Sequence, residues 1–115
     1  MGLKDTLATA LKGDVSDTSA ERAKYAHDTS LFERTPSLVV YPKDADDVAA
    51  LVKAVRDAKE AGEDVSVTAR SAGTDMGGGP LTRSVVAVFT KYMNRTLSVT
   101  PHQGDALISG YAEVE

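Results

Sequence analysis

The strongest constraint on the fold is the stretch 36–69, where two extended apolar runs bracket an amphipathic segment with short connections. Pro36 opens and Pro42 closes the run Ser37-Leu38-Val39-Val40-Tyr41. Its apolar residues are consecutive rather than alternating, which predicts a strand covered on both faces. In 44–61, Val48, Leu51, Val52, Val55 and Ala58 recur at the spacing of one helical face, so a helix about 27 Å long is expected. Asp44 and Asp47 stand as N-cap and third residue, a capping box with Asp in place of Glu. Gly62 supplies a left-handed stop. Asp64 to Ala69 reads as the second strand. Strand, helix, strand is a βαβ unit whose strands run parallel and whose crossover is right-handed.

Around this unit the signals are shorter. Leu3, Leu7 and Leu11 share one face of a helix over 3–12, which Gly13 and Asp14 end. Asp17-Thr18-Ser19 offers capping oxygens to a second helix running to about Ala26, and Asp28-Thr29-Ser30 breaks it. Ser84 to Thr90 is another consecutively apolar strand, while Leu97 to Thr100 and Ala106 to Val114 form strands around a Pro101–Asp105 turn. The expected class is α/β (α+β): N-terminal helices, a βαβ unit with a small, mainly parallel sheet, then the start of a second β-rich subdomain. The expected division is 1–30, an N-terminal helical segment, and 31–115.

Composition removes several functions. A net charge of −4 argues against a nucleic-acid partner, which calls for a basic face. With no cysteine, disulfide scaffolds, thiolate metal sites and cysteine nucleophiles are excluded. No apolar run is long enough for a transmembrane segment, and Met1-Gly2-Leu3-Lys4-Asp5 has no signal-peptide core. A cytoplasmic protein is expected. No catalytic nucleophile, metal site or catalytic residue is suggested by any local motif. The carboxylates Asp44, Asp46 and Asp47 fit helix capping better than a cation site. His27 and His102 read as surface residues. Tyr25, Tyr41, Tyr92 and Tyr111 read as packing groups, and Met76 and Met93 as fillers near a loop.

One segment carries chemistry. Arg70-Ser71-Ala72-Gly73-Thr74-Asp75-Met76-Gly77-Gly78-Gly79-Pro80 holds four of the chain's nine glycines. Such a loop can bring backbone N–H groups onto an anion, with Ser71 and Thr74 as hydroxyl donors and Arg70 as a cation. It follows a strand, where ligands of open α/β sheets bind. Lacking Gly-Lys, it is no P-loop; running into Pro80 and a strand, it is no dinucleotide turn opening a helix. The same composition also suits a flexible surface loop, and Arg70 could equally pair with Asp75 or another surface carboxylate.

The order of elements, with Pro36, Val39-Val40, Pro42, Asp47-Val48, Arg70-Ser71-Ala72-Gly73-Thr74, Gly78-Gly79 and Phe89-Thr90-Lys91-Tyr92-Met93-Asn94-Arg95, resembles a known family. It is the N-terminal part of the FAD-binding PCMH-type domain of the vanillyl-alcohol oxidase/p-cresol methylhydroxylase superfamily. The likeness is greatest to FAD-linked oxidases of the D-lactate dehydrogenase and glycolate oxidase type, and runs from about Tyr25 to the last residue. It implies FAD as cofactor, with Arg70, Ser71, Ala72, Gly73, Thr74, Asp75, Gly78 and Gly79 binding it. The amides of 71–74 would wrap the pyrophosphate, with Gly78 and Gly79 close by. It also implies an FAD-dependent oxidoreductase acting on a small 2-hydroxy acid or alcohol.

Departures from the family pattern refine this. Ser71 and Ala72 replace glycines of many members. Thr74 stands where some relatives attach FAD through histidine, so FAD is expected to be non-covalent at this loop. Asp75 is expected to turn outward, since a carboxylate beside a pyrophosphate is repelled. The chain stops within a strand-like pattern, so a fragment of a longer flavoprotein is expected, its partners being FAD and the second FAD subdomain and substrate domain. Alone it should not perform flavin redox chemistry, and peripheral membrane association of the parent enzyme is left open. Two rivals stand: a stand-alone, non-catalytic nucleotide- or protein-binding module, and a related flavin-dependent cell-wall-precursor reductase.

Overall fold

A computed structural model describes residues 2–101 and, for the backbone, 112–114. Three helices, α1 (Leu3–Ala10), α2 (Ser19–Lys24) and α3 (Ala45–Glu60), accompany strands β1 (Asp14–Ser16), β2 (Leu38–Tyr41), β3 (Val67–Arg70), β4 (Val85–Val88), β5 (Val99–Pro101) and β6 (Ala112–Val114). The main sheet has the order β1-β2-β4-β3, with β1 antiparallel to β2 and the other pairs parallel. The two strands flanking α3 are therefore parallel, as expected, but β4 lies between them. A separate antiparallel pair joins β5 to β6; the remainder of the expected 101–105 turn and of the strand from Ala106 lies outside the described residues.

The sheet is covered on both faces, which accounts for the consecutive apolar runs. Leu38, Val40, Val85 and Ala87 share a cluster with Leu7, Leu51 and Val55 of the helices and with Leu11, just past the end of α1. Val39, Tyr41, Val86 and Val88 form the opposite cluster, with Tyr25 and Tyr92 packed against it. β2 and β4 are buried at every position.

Local chemistry sets the boundaries. Asp44 caps α3 by accepting from the Asp47 amide at 3.0 Å. At the far end the Gly62 amide donates to the Lys59 carbonyl and the Glu63 amide to that of Ala58, with Gly62 at φ +97°; this is a Schellman ending. Of the expected apolar stripe, Val52 proves 52% exposed while Leu51 is 1% exposed.

Asp47 completes no capping box. It is buried, and its carboxylate takes the amides of Lys12 at 3.0 Å, Gly13 at 2.9 Å and Lys43 at 3.0 Å. Those bonds take the Lys12 and Gly13 amides away from α1, so the helix ends at Ala10 rather than at the expected 12 and the chain turns into β1. Gly13 is required there, because a Cβ would lie 1.8 Å from the Tyr41 carbonyl oxygen. β3 also starts later than expected, because the Ser84 hydroxyl, rather than a backbone carbonyl, takes the Ser66 amide at 2.9 Å.

Candidate functional site

The carboxyl ends of the three parallel strands lie on one edge of the sheet, and the glycine loop leaves from there. Arg70 is the last residue of β3 rather than the first of the loop: it pairs in register with Val88, and its carbonyl accepts from the Phe89 amide at 3.0 Å. Its side chain is 8% exposed. The guanidinium lies 5.3 Å from the Tyr25 ring centroid and donates to the Tyr25 carbonyl at 3.4 Å. It thus supports the loop from behind instead of pairing with Asp75.

Beyond Arg70 the backbone reverses. Gly73 (φ +71°) and Gly78 (φ +81°) adopt left-handed conformations that other residues enter at a cost of about 1–2 kcal/mol. A Cβ on Gly73 would fall 2.2 Å from the Arg70 guanidinium, and one on Gly78 3.2 Å from the Phe32 ring. The amides of Ser71, Ala72, Gly73 and Thr74 make no hydrogen bond among the described residues. Backbone donors near a surface normally find a partner in protein, water or ligand.

Beside them opens a cleft of about 420 Å³ lined by Ala69, Arg70, Ser71, Asp75, Gly79, Pro80 and Phe89. The structure therefore brings Arg70, Ser71, Asp75 and Gly79 to one concavity. Ala72 and Thr74 are exposed on the adjoining arch, and Gly73 is buried within it. Gly78 faces a separate recess with Phe32, Arg34, Gly77 and Leu81. Asp75 does not turn away from the cleft: its carboxylate occupies the room left by Gly79, where a Cβ would meet it at 3.0 Å. Met76 is 85% exposed, so it fills nothing.

The sequence also hid a contact. Thr29, read as part of a helix stop, hydrogen-bonds to the carbonyls of Thr74 and Asp75. Asp-Thr-Ser was visible as a motif, but its partner lies 45 positions away. Next to it, Asp28 is held below its ordinary carboxylate value by the Ser30 hydroxyl first, against desolvation, with the Ser30 and Gly78 amides adding to the effect.

A second cleft of about 450 Å³ lies further along the same edge, between Lys43, Asp44 and Ala45 at the start of α3 and Tyr92, Met93, Arg95 and Leu97 after β4. Below it Asp14 accepts from Lys91 at 2.5 Å and from Tyr92 at 2.6 Å, which holds its carboxyl low. Burial raises the Tyr41 hydroxyl far above its ordinary value, and its bonds to Glu21 and Tyr25 add to that. Among the described residues no cluster of His, Asp or Glu could hold a metal ion, and no helix is long and apolar enough to cross a membrane.

The donor set fits a diphosphate. It offers four uncommitted amides, two hydroxyls and a buried cation, whose guanidinium lies behind the arch in room that a side chain on Gly73 would take.

The sequence profile of a family described as FAD binding domain matches residues 36–114. The D-2-hydroxyglutarate dehydrogenase of Pseudomonas putida is 32% identical over 91 residues, 79% of this chain and 9% of that protein. The enzyme of the same name from Escherichia coli K12 is 28% identical over 92 residues, 80% of this chain and 9% of that one. The chain thus spans about a tenth of the length of these curated relatives. Among solved structures, p-cresol methylhydroxylase with substrate bound superposes with a TM-score of 0.68 at 19% identity, covering 87% of this chain and 20% of that one.

Proposed function

This chain belongs to the FAD binding domain family of FAD-linked oxidoreductases, and from that premise we propose that the loop after β3 holds the FAD pyrophosphate. In this reading the amides of Ser71, Ala72, Gly73 and Thr74 take the diphosphate oxygens, while the Ser71 and Thr74 hydroxyls add donors. Gly73 leaves room for the Arg70 guanidinium behind the arch and Gly79 for the Asp75 carboxylate beside the cleft, so both set the shape of the cradle. Arg70 contributes positive potential through the arch and supports it against Tyr25, while Gly78 shapes the loop. Asp75 accepts from a ribose hydroxyl, a donor that flanks the diphosphate. The single observation carrying this assignment is the row of uncommitted amides above a cleft at the carboxyl edge of a parallel sheet.

FAD, when bound, supplies the hydride-accepting chemistry; the protein supplies binding, orientation and electrostatics. With no histidine at the position of Thr74, the hold at this loop is non-covalent. We take 31–115 as cofactor-binding and 1–30 as the helical segment leading into it. The relatives named D-2-hydroxyglutarate dehydrogenase support a 2-hydroxy acid as the substrate class of the enzyme. Their greater length supports further FAD and substrate domains as its partners. A cytoplasmic location accords with a chain free of cysteine.

The test is retention of flavin. The protein should bind FAD in a titration followed by visible absorbance, and Gly73→Ala should weaken binding at least about tenfold, a loss of roughly 1.4 kcal/mol or more, with its circular dichroism kept. Equal affinity in that variant would refute the assignment.

A further inference from the structure

The cofactor reading leaves the Asp28-Thr29-Ser30 turn without a role, yet this turn touches the glycine loop directly. Thr29 meets the loop three times. Its Oγ1 shares its one hydrogen between the Thr74 carbonyl at 3.0 Å and the Asp75 carbonyl at 2.8 Å, a three-centre bond. Its backbone amide donates to the same Asp75 carbonyl at 3.0 Å. One residue therefore commits two successive carbonyls of a segment otherwise rich in glycine.

Peptide planarity carries the consequence further. In a trans peptide the C=O of one residue and the N–H of the next point in opposite directions. Holding the carbonyls of Thr74 and Asp75 toward Thr29 turns the amides of Asp75 and Met76 away from it. Neither amide donates to an acceptor among the described residues. The row of uncommitted donors thus extends from Ser71 to Met76.

The neighbouring residues hold the other end of the loop. Asp28 Oδ1 accepts from the Ser30 amide at 2.8 Å and from the Ser30 hydroxyl, closing the turn that presents Thr29. Phe32 packs against the left-handed Gly78.

We propose that Thr29 is a positioning residue for the anion cradle: it fixes the peptide planes at 74–76, so that the loop meets the cofactor already shaped. The proposal rests on the FAD reading above. The physical gain is preorganisation. A glycine-rich loop has many conformations to lose on binding, and a pin that removes them beforehand lowers the cost of ordering. Thr29 is exposed, so replacing it leaves both apolar clusters untouched. That separates a positioning role from a general structural one.

The experiment compares the protein with its Thr29→Val and Thr29→Ser variants by FAD fluorescence titration, thermal melting and amide hydrogen exchange over 71–79 without FAD. Valine keeps the shape and loses the hydroxyl; serine keeps the hydroxyl. Thr29→Val should raise the FAD dissociation constant roughly tenfold, leave the melting midpoint unchanged and speed exchange across the loop. Thr29→Ser should match the parent in all three. Tight binding by Thr29→Val, or weak binding by both variants, overturns the proposal while the cofactor assignment survives. Failure of the unsubstituted protein to bind FAD overturns both, and is seen before any variant is made.

Discussion

At the scale of single residues, Asp47 links sequence position to fold most directly. Burial pushes its carboxyl upward, but the amides of Lys12, Lys43 and Gly13 outweigh that and hold it below its ordinary value. A carboxyl lowered in the folded state binds fewer protons folded than unfolded. Its contribution is therefore complete above the ordinary value of 3.8 and fades as pH falls through the lower folded value. Asp47→Ala would leave three backbone donors without their acceptor, a cost of about 3–5 kcal/mol at neutral pH. Urea unfolding at pH 7 and again below pH 3.8 checks this, and the gap between variant and parent should narrow at the acid end. Little of this was legible beforehand. The spacing of Asp44 and Asp47 correctly indicated a cap, but a carboxylate in the first turn looks the same whether it serves its own helix or a strand approaching from 34 residues away. Arg70 is similar: its charge was plain, whereas its place behind Gly73 depends on Tyr25.

At the scale of elements, α3 shows what periodicity can and cannot give. The spacing of Val48, Leu51, Val52 and Val55 placed the helix and its apolar side, and its caps fell where Asp44 and Gly62 put them. Periodicity could not say that the stripe is narrower than its apolar residues. Leu51 touches the main cluster and Val52 faces outward. Leu51→Ala should therefore cost about 2–5 kcal/mol, while Val52→Ala stays within about 0.5 kcal/mol; chemical denaturation of both tests the division. β1 escaped the sequence reading because Asp14-Val15-Ser16 has three residues, no run of apolar side chains and a strand partner supplied from elsewhere. The order β2-β4-β3 was likewise beyond local pattern. It is set by which strand buries both faces, and β4 does so at every position whereas β3 does not.

At the scale of the whole molecule, a small two-faced sheet presents a loop of small residues at its carboxyl edge, within the stretch that matches the FAD binding domain family. The glycines made the loop readable, and the surrounding motifs made its family readable. What the sequence withheld was the division of labour inside the loop: Gly73 for the reversal, Gly79 for the Asp75 carboxylate, and Thr29 for the carbonyls. Those assignments depend on contacts across the fold rather than on neighbours in the chain. The measurement that bears most directly on the account is an amide-resolved NMR titration of the protein with FAD. The backbone N–H resonances of Ser71, Ala72, Gly73 and Thr74 should shift together and more than any others, as they acquire phosphate oxygens as acceptors. FAD binding that leaves those four resonances in place, with the shifts gathered elsewhere on the sheet edge, would contradict it.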